Sequence, residues 1–141
     1  MSTAGRGAGR RRRGRELALR VLFEIEGTEK DPEWALRYQA AEVGATDDVL
    51  AFARQIVVGC LRTLDTLDAV LTDASDHWSL VELGKVERAV LRLGAYELLF
   101  EPDTPVAVII DESVELAKTY AGETAAHYVN GVLGHIAKAG V

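Results

Sequence analysis

Apolar residues recur every three or four positions along most of this 141-residue chain, and this spacing constrains its fold more than any other feature. The most regular stretch follows Thr46, a candidate helix N-cap, and two aspartates that suit the first turn of a helix. Its apolar stripe continues for about four turns, and Leu64 is its last member. The pattern predicts a long amphipathic helix, with a break near Asp65 before the next one.

Two shorter helices are predicted before this segment. The first follows the arginine cluster and ends at Gly27. The second opens at Pro32 behind an Asp31 cap and ends near Gly44. The candidate buried residues of the second helix are Trp34, Leu36 and Tyr38.

The second half of the chain opens with a polar stretch that leads through His77 and Trp78 into another helix. This helix is predicted from about Val81 to Phe100, because apolar residues again recur at helical spacing. The Pro-containing segment 101–103 that follows has the composition of a turn.

The remaining segments also read as helices. Thr104 is a candidate cap and Pro105 a candidate first residue of a helix that runs roughly to Tyr120. Gly122 breaks the chain, and Thr124 is a candidate cap of the last helix. No segment is a convincing strand. The sequence therefore predicts an all-α fold of about six or seven helices joined by short loops.

Charge is distributed unevenly along the chain, although the formal net charge is only −6. The first 20 residues carry seven arginines and one acid, a charge of +6. Residues 21–141 carry nine basic and 21 acidic residues, a charge of −12. A basic segment on an acidic body suggests a polyanion as the partner of the segment and a basic protein as the partner of the body.

Residues 1–9 contain little that could be buried, and we expect a flexible basic arm there, followed by one all-helical domain over 10–141. No apolar run reaches the roughly 20 residues of a membrane span, and no signal peptide is recognisable. We therefore expect a cytoplasmic protein with no membrane partner. The single cysteine, Cys60, excludes an internal disulfide framework and is expected to be a buried apolar residue.

The sequence carries none of the common catalytic or cofactor-binding motifs. It has no phosphate-binding Gly-Lys-Ser/Thr loop, no Gly-x-Ser-x-Gly elbow and no His-Glu-x-x-His pair. His77, His127 and His135 are few and scattered, and the last two are about two helical turns apart, too far to share one metal ion. We expect no enzymatic activity, no cofactor and no metal site.

The run of arginines over 10–13 and at Arg15 is the feature that most directly suggests a function. Guanidinium groups pair with phosphates and stack on bases, and their charge does not titrate. A solvated, solubilising tail would look similar, but the acidic remainder of the chain favours contact with nucleic acid. Tyr120 and Tyr128 flank the Gly122 turn, where half-exposed rings can stack on unpaired bases, although rings at such spacing are more often part of a core.

Four blocks of the sequence resemble the NusB family of bacterial transcription antitermination factors. They are RRRRGRELALRVLFE at 10–24, KVERAVLRLGAYELL at 85–99, TPVAVIIDESVELAKTY at 104–120 and YVNGVLGHIAK at 128–138. Their order and spacing match the family, and the last two blocks are the most specific. The resemblance covers about residues 10–138 and implies an all-helical fold of two small bundles without catalysis.

The resemblance also implies partners and site residues. NusB-like proteins bind the single-stranded boxA element of ribosomal RNA leader transcripts together with NusE, a small-subunit ribosomal protein. They act in a complex with NusA, NusG and RNA polymerase that supports processive rRNA synthesis. The positions that match RNA-binding residues are Arg10, Arg11, Arg12, Arg13, Arg15, Tyr120 and Tyr128. The positions that match the NusE face are Phe23, Glu87 and Arg92. The place of Asn130–Gly131 in the last helix implies close helix packing there.

Three positions depart from the family pattern. Phe23 stands where tyrosine is common and lacks the hydroxyl group. His127 stands where a lysine often lies, so a phosphate contact there would weaken as the imidazole loses its proton. Asp111 stands where asparagine is usual and adds a negative charge that nearby RNA would resist.

Two other functions stay open at this point. A similar helical domain occurs at the N-terminus of some rRNA cytosine methyltransferases, where a separate α/β domain binds the methyl donor, and the 141 residues leave no room for one. Alternatively, the chain is a bundle that dimerises and masks its own arginines. A helix-turn-helix that binds DNA is disfavoured, because the basic residues lie in an arm and not on a recognition helix.

Overall fold

In the computed structural model, the described residues are 3–75 and 82–140, and they form seven α-helices and no strand. This confirms the all-α prediction. The helices are α1 (Thr3–Ile25), α2 (Pro32–Val43), α3 (Asp47–Arg62), α4 (Leu64–Ala74), α5 (Lys85–Phe100), α6 (Val106–Ala121) and α7 (Glu123–Lys138). His77, Trp78 and Val81 lie outside the described residues. None of the helices within the described ranges is long and apolar enough to cross a membrane.

The chain divides into two compact units, residues 1–59 and 60–141, in agreement with the two predicted bundles. In the first unit, α1 packs against α2 and against the N-terminal part of α3. Pro32 opens α2, where its fixed φ suits a helix and its missing N–H leaves no donor unsatisfied. Gly44 ends α2 with a φ of 65°, and its N–H donates to the carbonyl oxygens of Ala40 and Ala41. The apolar core residues of this unit include Leu17, Ala18, Val21, Leu22, Leu36, Val49, Ala53, Ile56 and Val57.

The inner face of α2 is narrower than predicted. Leu36 is buried, but Trp34 and Tyr38 are about half exposed, so the prediction that they are core residues is wrong. A separation of two residues is about 200° around a helix, which turns both rings away from the face of Leu36. The two rings instead stack on each other with centroids 5.2 Å apart.

In the second unit, α5 is the central helix and packs against α4, α6 and α7. It is buried on most of its circumference, as expected for a helix enclosed by neighbours. The turn between α6 and α7 is made by Gly122, whose φ of 98° favours glycine. Its N–H donates to the carbonyl oxygens of Ala117 and Lys118 and so ends α6.

Several predicted helix boundaries are wrong by a few residues. The fifth helix begins only at Lys85, because Gly84 is extended and occupies the N-cap position. The sixth helix has Pro105 at its N-cap, and the predicted cap Thr104 belongs to the preceding turn. Thr124 lies inside the first turn of α7, because the preceding glycine occupies the N-cap position. In each case a glycine or proline occupies the N-cap position, and the predicted boundary lies on a different residue.

Close helix packing occurs at Gly94 and not at the predicted Asn130–Gly131. A Cβ atom on Gly94 would lie 2.7 Å from Leu133 Cδ1 and 2.8 Å from Ser113 Oγ, so this glycine lets α5 approach both α6 and α7. Gly131 is exposed, and a Cβ there would meet no described atom within 4 Å. The Asn130–Gly131 pair does lie within α7, as the resemblance implied.

Gly94→Ala should destabilise the protein by about 1–3 kcal/mol, because Leu133 or Ser113 must move to admit the methyl group. Gly131→Ala is the matched control, since the same change at an open helical position should stabilise by up to about 1 kcal/mol. Urea denaturation measures both. Equal effects of the two substitutions would contradict the close approach at Gly94.

In the first unit, an ion pair joins α2 to α3. The Glu33 carboxylate of α2 accepts hydrogen bonds from Arg54 Nε at 2.9 Å and Arg54 Nη2 at 2.7 Å, and one from Arg37 Nε at 2.8 Å. The hydrogen bonds from Arg54, followed by that from Arg37, lower the pKa of Glu33 from 4.5 to about 2. Glu33 therefore joins α2 to α3 as a carboxylate.

Glu33→Gln should lower the free energy of unfolding at neutral pH by less than about 1 kcal/mol, because the Glu33 side chain is 40% exposed and solvent screens the pair. The pKa is lower in the folded state, so this contribution is fully present above a pH of 4.5 and is lost as pH falls towards about 2. Denaturation curves of the two proteins should therefore converge on acidification. A difference that stays constant down to that pH would contradict the ion pair.

Candidate nucleic-acid interface

The arginine cluster lies inside a helix. The sequence predicted that helical structure begins after the cluster, but α1 begins at Thr3 and runs through it without interruption. Arginine is itself a good helix former, and α3 supplies groups that offset the repulsion between neighbouring guanidinium groups. The mobility expected for residues 1–9 stays a prediction.

Phe52 of α3 supports this segment of α1. The guanidinium carbon of Arg11 lies 5.2 Å from the centroid of the Phe52 ring, and that of Arg15 lies 5.5 Å from it. Both distances suit attraction between a cation and the face of an aromatic ring. Gly14 permits the approach, because a Cβ atom there would lie 2.5 Å from Phe52 Cδ2. Phe52 thus holds one face of the arginine segment against α3.

Asp48, in the first turn of α3, holds a third arginine. Its Oδ2 atom lies 2.8 Å from Arg10 Nη1, and its Oδ1 atom accepts hydrogen bonds from Thr46 Oγ1 at 2.6 Å and Val49 N at 3.2 Å. The hydrogen bond from Thr46 contributes most, and that from Arg10 contributes further, to a pKa of Asp48 below its ordinary value. Asp48 is therefore a fixed negative charge beside the cluster.

The five predicted RNA-binding arginines are not equivalent. Arg10, Arg11, Arg12 and Arg13 are exposed, whereas Arg15 is only 2% exposed. A buried guanidinium is not presented to a ligand, so a direct phosphate contact does not fit Arg15. Its burial and its position over Phe52 make it an anchor of α1.

In the second unit, Tyr120 and Tyr128 are both half-buried. The Tyr128 hydroxyl is buried and has no hydrogen-bond partner among the described residues, which is costly for a polar group. Tyr128 also lines two surface hollows, of about 670 Å³ and 320 Å³, and Tyr120 lines neither. The larger hollow is lined by Val114, Glu123, Thr124, Ala126, His127, Tyr128 and Asn130.

Two side chains with different predicted partners line the smaller hollow. Glu87, predicted for the protein-partner face, lines it with Tyr128, predicted for RNA. The Glu87 carboxylate lies over Gly84, where a Cβ atom would be 2.8 Å from either oxygen. Within the second unit, a carboxylate and an aromatic ring therefore share one concave surface.

The other predicted positions differ in accessibility. Phe23 of α1 is exposed, and so are His127 and Asp111. The Arg92 side chain is only 17% exposed, and it donates from Nε and Nη2 to the two oxygens of Asp68 at 2.8 and 3.0 Å. This double hydrogen bond gives Arg92 a structural task between α4 and α5, which weighs against a contact with a partner protein.

Cys60 and the side chains that could bind a metal ion were considered in the sequence, and the structure describes both. Cys60 is fully buried, its thiol donates to the Arg92 carbonyl oxygen at 3.8 Å, and burial raises its pKa. Such a thiol is unreactive, in agreement with the apolar role predicted for it. Across residues 3–75 and 82–140, no three His, Cys, Asp or Glu side chains are grouped so as to hold a metal ion.

Sequence reasoning missed Phe52 and Asp48 as parts of this interface. In the sequence, Phe52 is one member of the apolar stripe that follows Thr46, and Asp48 is one of the two aspartates that suit the first turn of a helix. Gly14 was the available signal, because a glycine inside a helical, arginine-rich segment often marks a close approach. Local spacing in the sequence does not identify the residue that packs against Gly14.

Comparison with known proteins agrees with this fold. A family model for the NusB family matches residues 12–138. The transcription antitermination protein NusB of Heliobacterium modesticaldum is 39% identical to this chain. The match covers 91% of this chain and 62% of that relative's length. The NusB protein of Desulforamulus reducens is 36% identical over 89% of this chain and 88% of its own. A crystal structure of the antitermination factors NusB and NusE in complex with dsRNA matches with a TM-score of 0.85 and 30% identity, covering 92% of this chain and 97% of that one.

Tyr128→Phe should leave the stability unchanged or raise it by up to about 1 kcal/mol, because the buried hydroxyl has no partner among the described residues to lose. Tyr128→Ala should instead destabilise, since it also removes the half-buried ring. Thermal denaturation of both variants checks this. A loss of more than about 1 kcal/mol in the Phe variant would show that the hydroxyl is bonded in solution.

Proposed function

The chain belongs to the NusB family, and on that premise we propose that it is a transcription antitermination factor that binds RNA together with NusE. The observation that carries this proposal is the exposed arginine segment of α1, Arg10 to Arg13, which contacts Phe52 and Asp48 of α3. Both relatives compared above are antitermination proteins and not methyltransferases, which favours this function over a module of a modifying enzyme. The protein then acts by binding, without catalysis.

In the first unit, Arg10 to Arg13 are the groups that meet the phosphate chain. Their guanidinium groups are exposed, so they can donate to phosphate oxygens without rearrangement of the core. Arg15 and Phe52 fix the helix that carries them. Because the backbone that carries the arginines is already helical, less backbone entropy is lost when RNA binds than would be lost from a disordered tail.

In the second unit, the ring of Tyr128 is a site for stacking an unpaired base, and each such contact is worth about 1–3 kcal/mol. Tyr120 is retained as a second candidate on the strength of the family resemblance. Glu87 supplies negative charge on the same hollow as Tyr128, and a carboxylate there suits a basic ribosomal protein such as NusE. Phe23 is the candidate NusE contact in the first unit, and Arg92 is left with its structural role.

The proposed RNA is the single-stranded boxA element of rRNA leader transcripts, and the proposed setting is a complex with NusA, NusG and RNA polymerase. This places the protein in the bacterial cytoplasm. The structurally similar NusB–NusE complex was crystallised with dsRNA, so strand type has to be compared directly. A homodimer that masks the arginines is a further state that RNA would have to compete with.

Fluorescence anisotropy with four labelled RNAs, each with and without NusE, tests the proposal. The RNAs are a boxA-type strand, a scrambled strand of equal length, and the duplex of each. We expect modest binding of the boxA-type strand by the chain alone and much tighter binding with NusE, with a clear preference over both the scrambled strand and the duplexes. Equal affinity for all four RNAs in the presence of NusE would refute boxA recognition.

The arginines should also determine the salt dependence of RNA binding. With about four phosphates neutralised, the logarithm of affinity should fall with the logarithm of salt concentration with a slope near −3, from about 0.7 per contact on a single strand. The triple variant Arg11→Ala, Arg12→Ala, Arg13→Ala should flatten this slope by about 2. Its helical content should persist, because these side chains are exposed and Arg15 remains in place.

Arg37→Ala is the control, since Arg37 is an exposed arginine of α2 outside the cluster. It should change the slope by much less than one contact's share. An unchanged slope in the triple variant, or unfolding of that variant by circular dichroism, would mean that the cluster is structural.

A further inference from the structure

The ion pairs Arg92–Asp68, Arg54–Glu33 and Arg10–Asp48 each join two different helices, and they differ in accessibility. In the Arg92–Asp68 pair two nitrogens meet two oxygens, and the side chains are 17% and 33% exposed. Arg54 likewise donates twice to Glu33. The Arg10–Asp48 pair has a single contact of 2.8 Å, and its side chains are 49% and 52% exposed. Of these three pairs, it is the one that a ligand can displace most easily.

Asp48 is held so that one of its oxygens faces Arg10. Its Oδ1 atom is occupied by the Thr46 hydroxyl and the Val49 N–H, which leaves Oδ2 for the guanidinium group. A carboxylate oxygen accepts from arginine much as a non-bridging phosphate oxygen does. Arg10 is therefore occupied by a group that resembles part of its expected ligand.

We propose that Asp48 is a built-in competitor for RNA phosphate, which RNA must displace before Arg10 can contribute to binding. This inference rests on the proposed RNA-binding function. Its consequence is a cost that does not depend on RNA sequence, because every RNA that uses Arg10 must first displace the Asp48 carboxylate. An exposed ion pair is weak, so Asp48 lowers the affinity for RNA by at most about fivefold.

Asp48→Asn tests the proposal with little disturbance to the helix. The amide oxygen can still accept from Thr46 and Val49, so the start of α3 should be preserved while the negative charge is removed. Asp47→Asn is the matched control. Asp47 is the adjacent residue of the same first turn, is also exposed, and makes no ion pair with a described side chain.

Binding is measured by anisotropy in the presence of NusE, with the boxA-type strand and the scrambled strand, over a range of salt concentrations. Asp48→Asn should bind both strands about two- to fivefold more tightly, and its salt slope should steepen by about 0.7, the share of one added phosphate contact. Asp47→Asn should have a clearly smaller effect on affinity and no effect on the slope. In an Arg10→Ala background, Asp48→Asn should change neither quantity.

Equal gains from the two Asn variants would overturn the inference, because the effect would then be general charge repulsion. Weaker binding by Asp48→Asn would also overturn it, since Asp48 would then be positioning Arg10 for RNA. Both outcomes leave the proposed function intact. Failure of the unmodified chain to bind either strand with NusE would instead overturn the proposed function, and this inference with it. Melting curves of all variants confirm that the compared proteins are folded.

Discussion

The segment of α1 from Arg10 to Arg15 carries guanidinium groups whose like charges repel one another, and the helix there depends on the side chains that α3 packs against them. Phe52 accepts two of these groups on its ring, and Asp48 pairs with a third. Gly14 allows the close approach, and Arg15 is drawn into the core. This contact turns a charged segment into an ordered part of the first unit. The exposed arginines are consequently presented from a fixed backbone.

The arginine cluster therefore has a structural role and a proposed binding role, and the residue types alone do not show which arginine has which role. Arg15 stabilises the unit from within, whereas Arg10 to Arg13 keep their charge in solvent. The second unit adds features of a different kind, a half-buried aromatic ring and a carboxylate on one hollow. In the proposed function, the arginines meet phosphates, the ring stacks on a base and the carboxylate faces a basic protein. No step in this account requires catalysis.

Much of the fold could be predicted from the sequence, because helical periodicity is a local property. The glycine turn before α7 follows from backbone preference alone, and the break predicted near Asp65 lies at Thr63, between α3 and α4. The errors arise where contacts between helices determine which residues are buried and where two helices approach closely. Trp34 is predicted to be buried although its angle on the helix excludes it, and the close approach predicted at Gly131 is made by Gly94. The arginines were identified as a cluster, but Phe52 and Asp48 became visible only when α3 was placed beside α1.

The most direct test of the central claim is the NMR signal of each arginine Nε–Hε group during titration with boxA-type RNA and NusE. The signals of Arg10, Arg11, Arg12 and Arg13 should shift in proportion to bound RNA, while that of buried Arg15 should stay in place. If RNA binds and none of the four exposed arginines responds, the ligand lies elsewhere and the account is wrong.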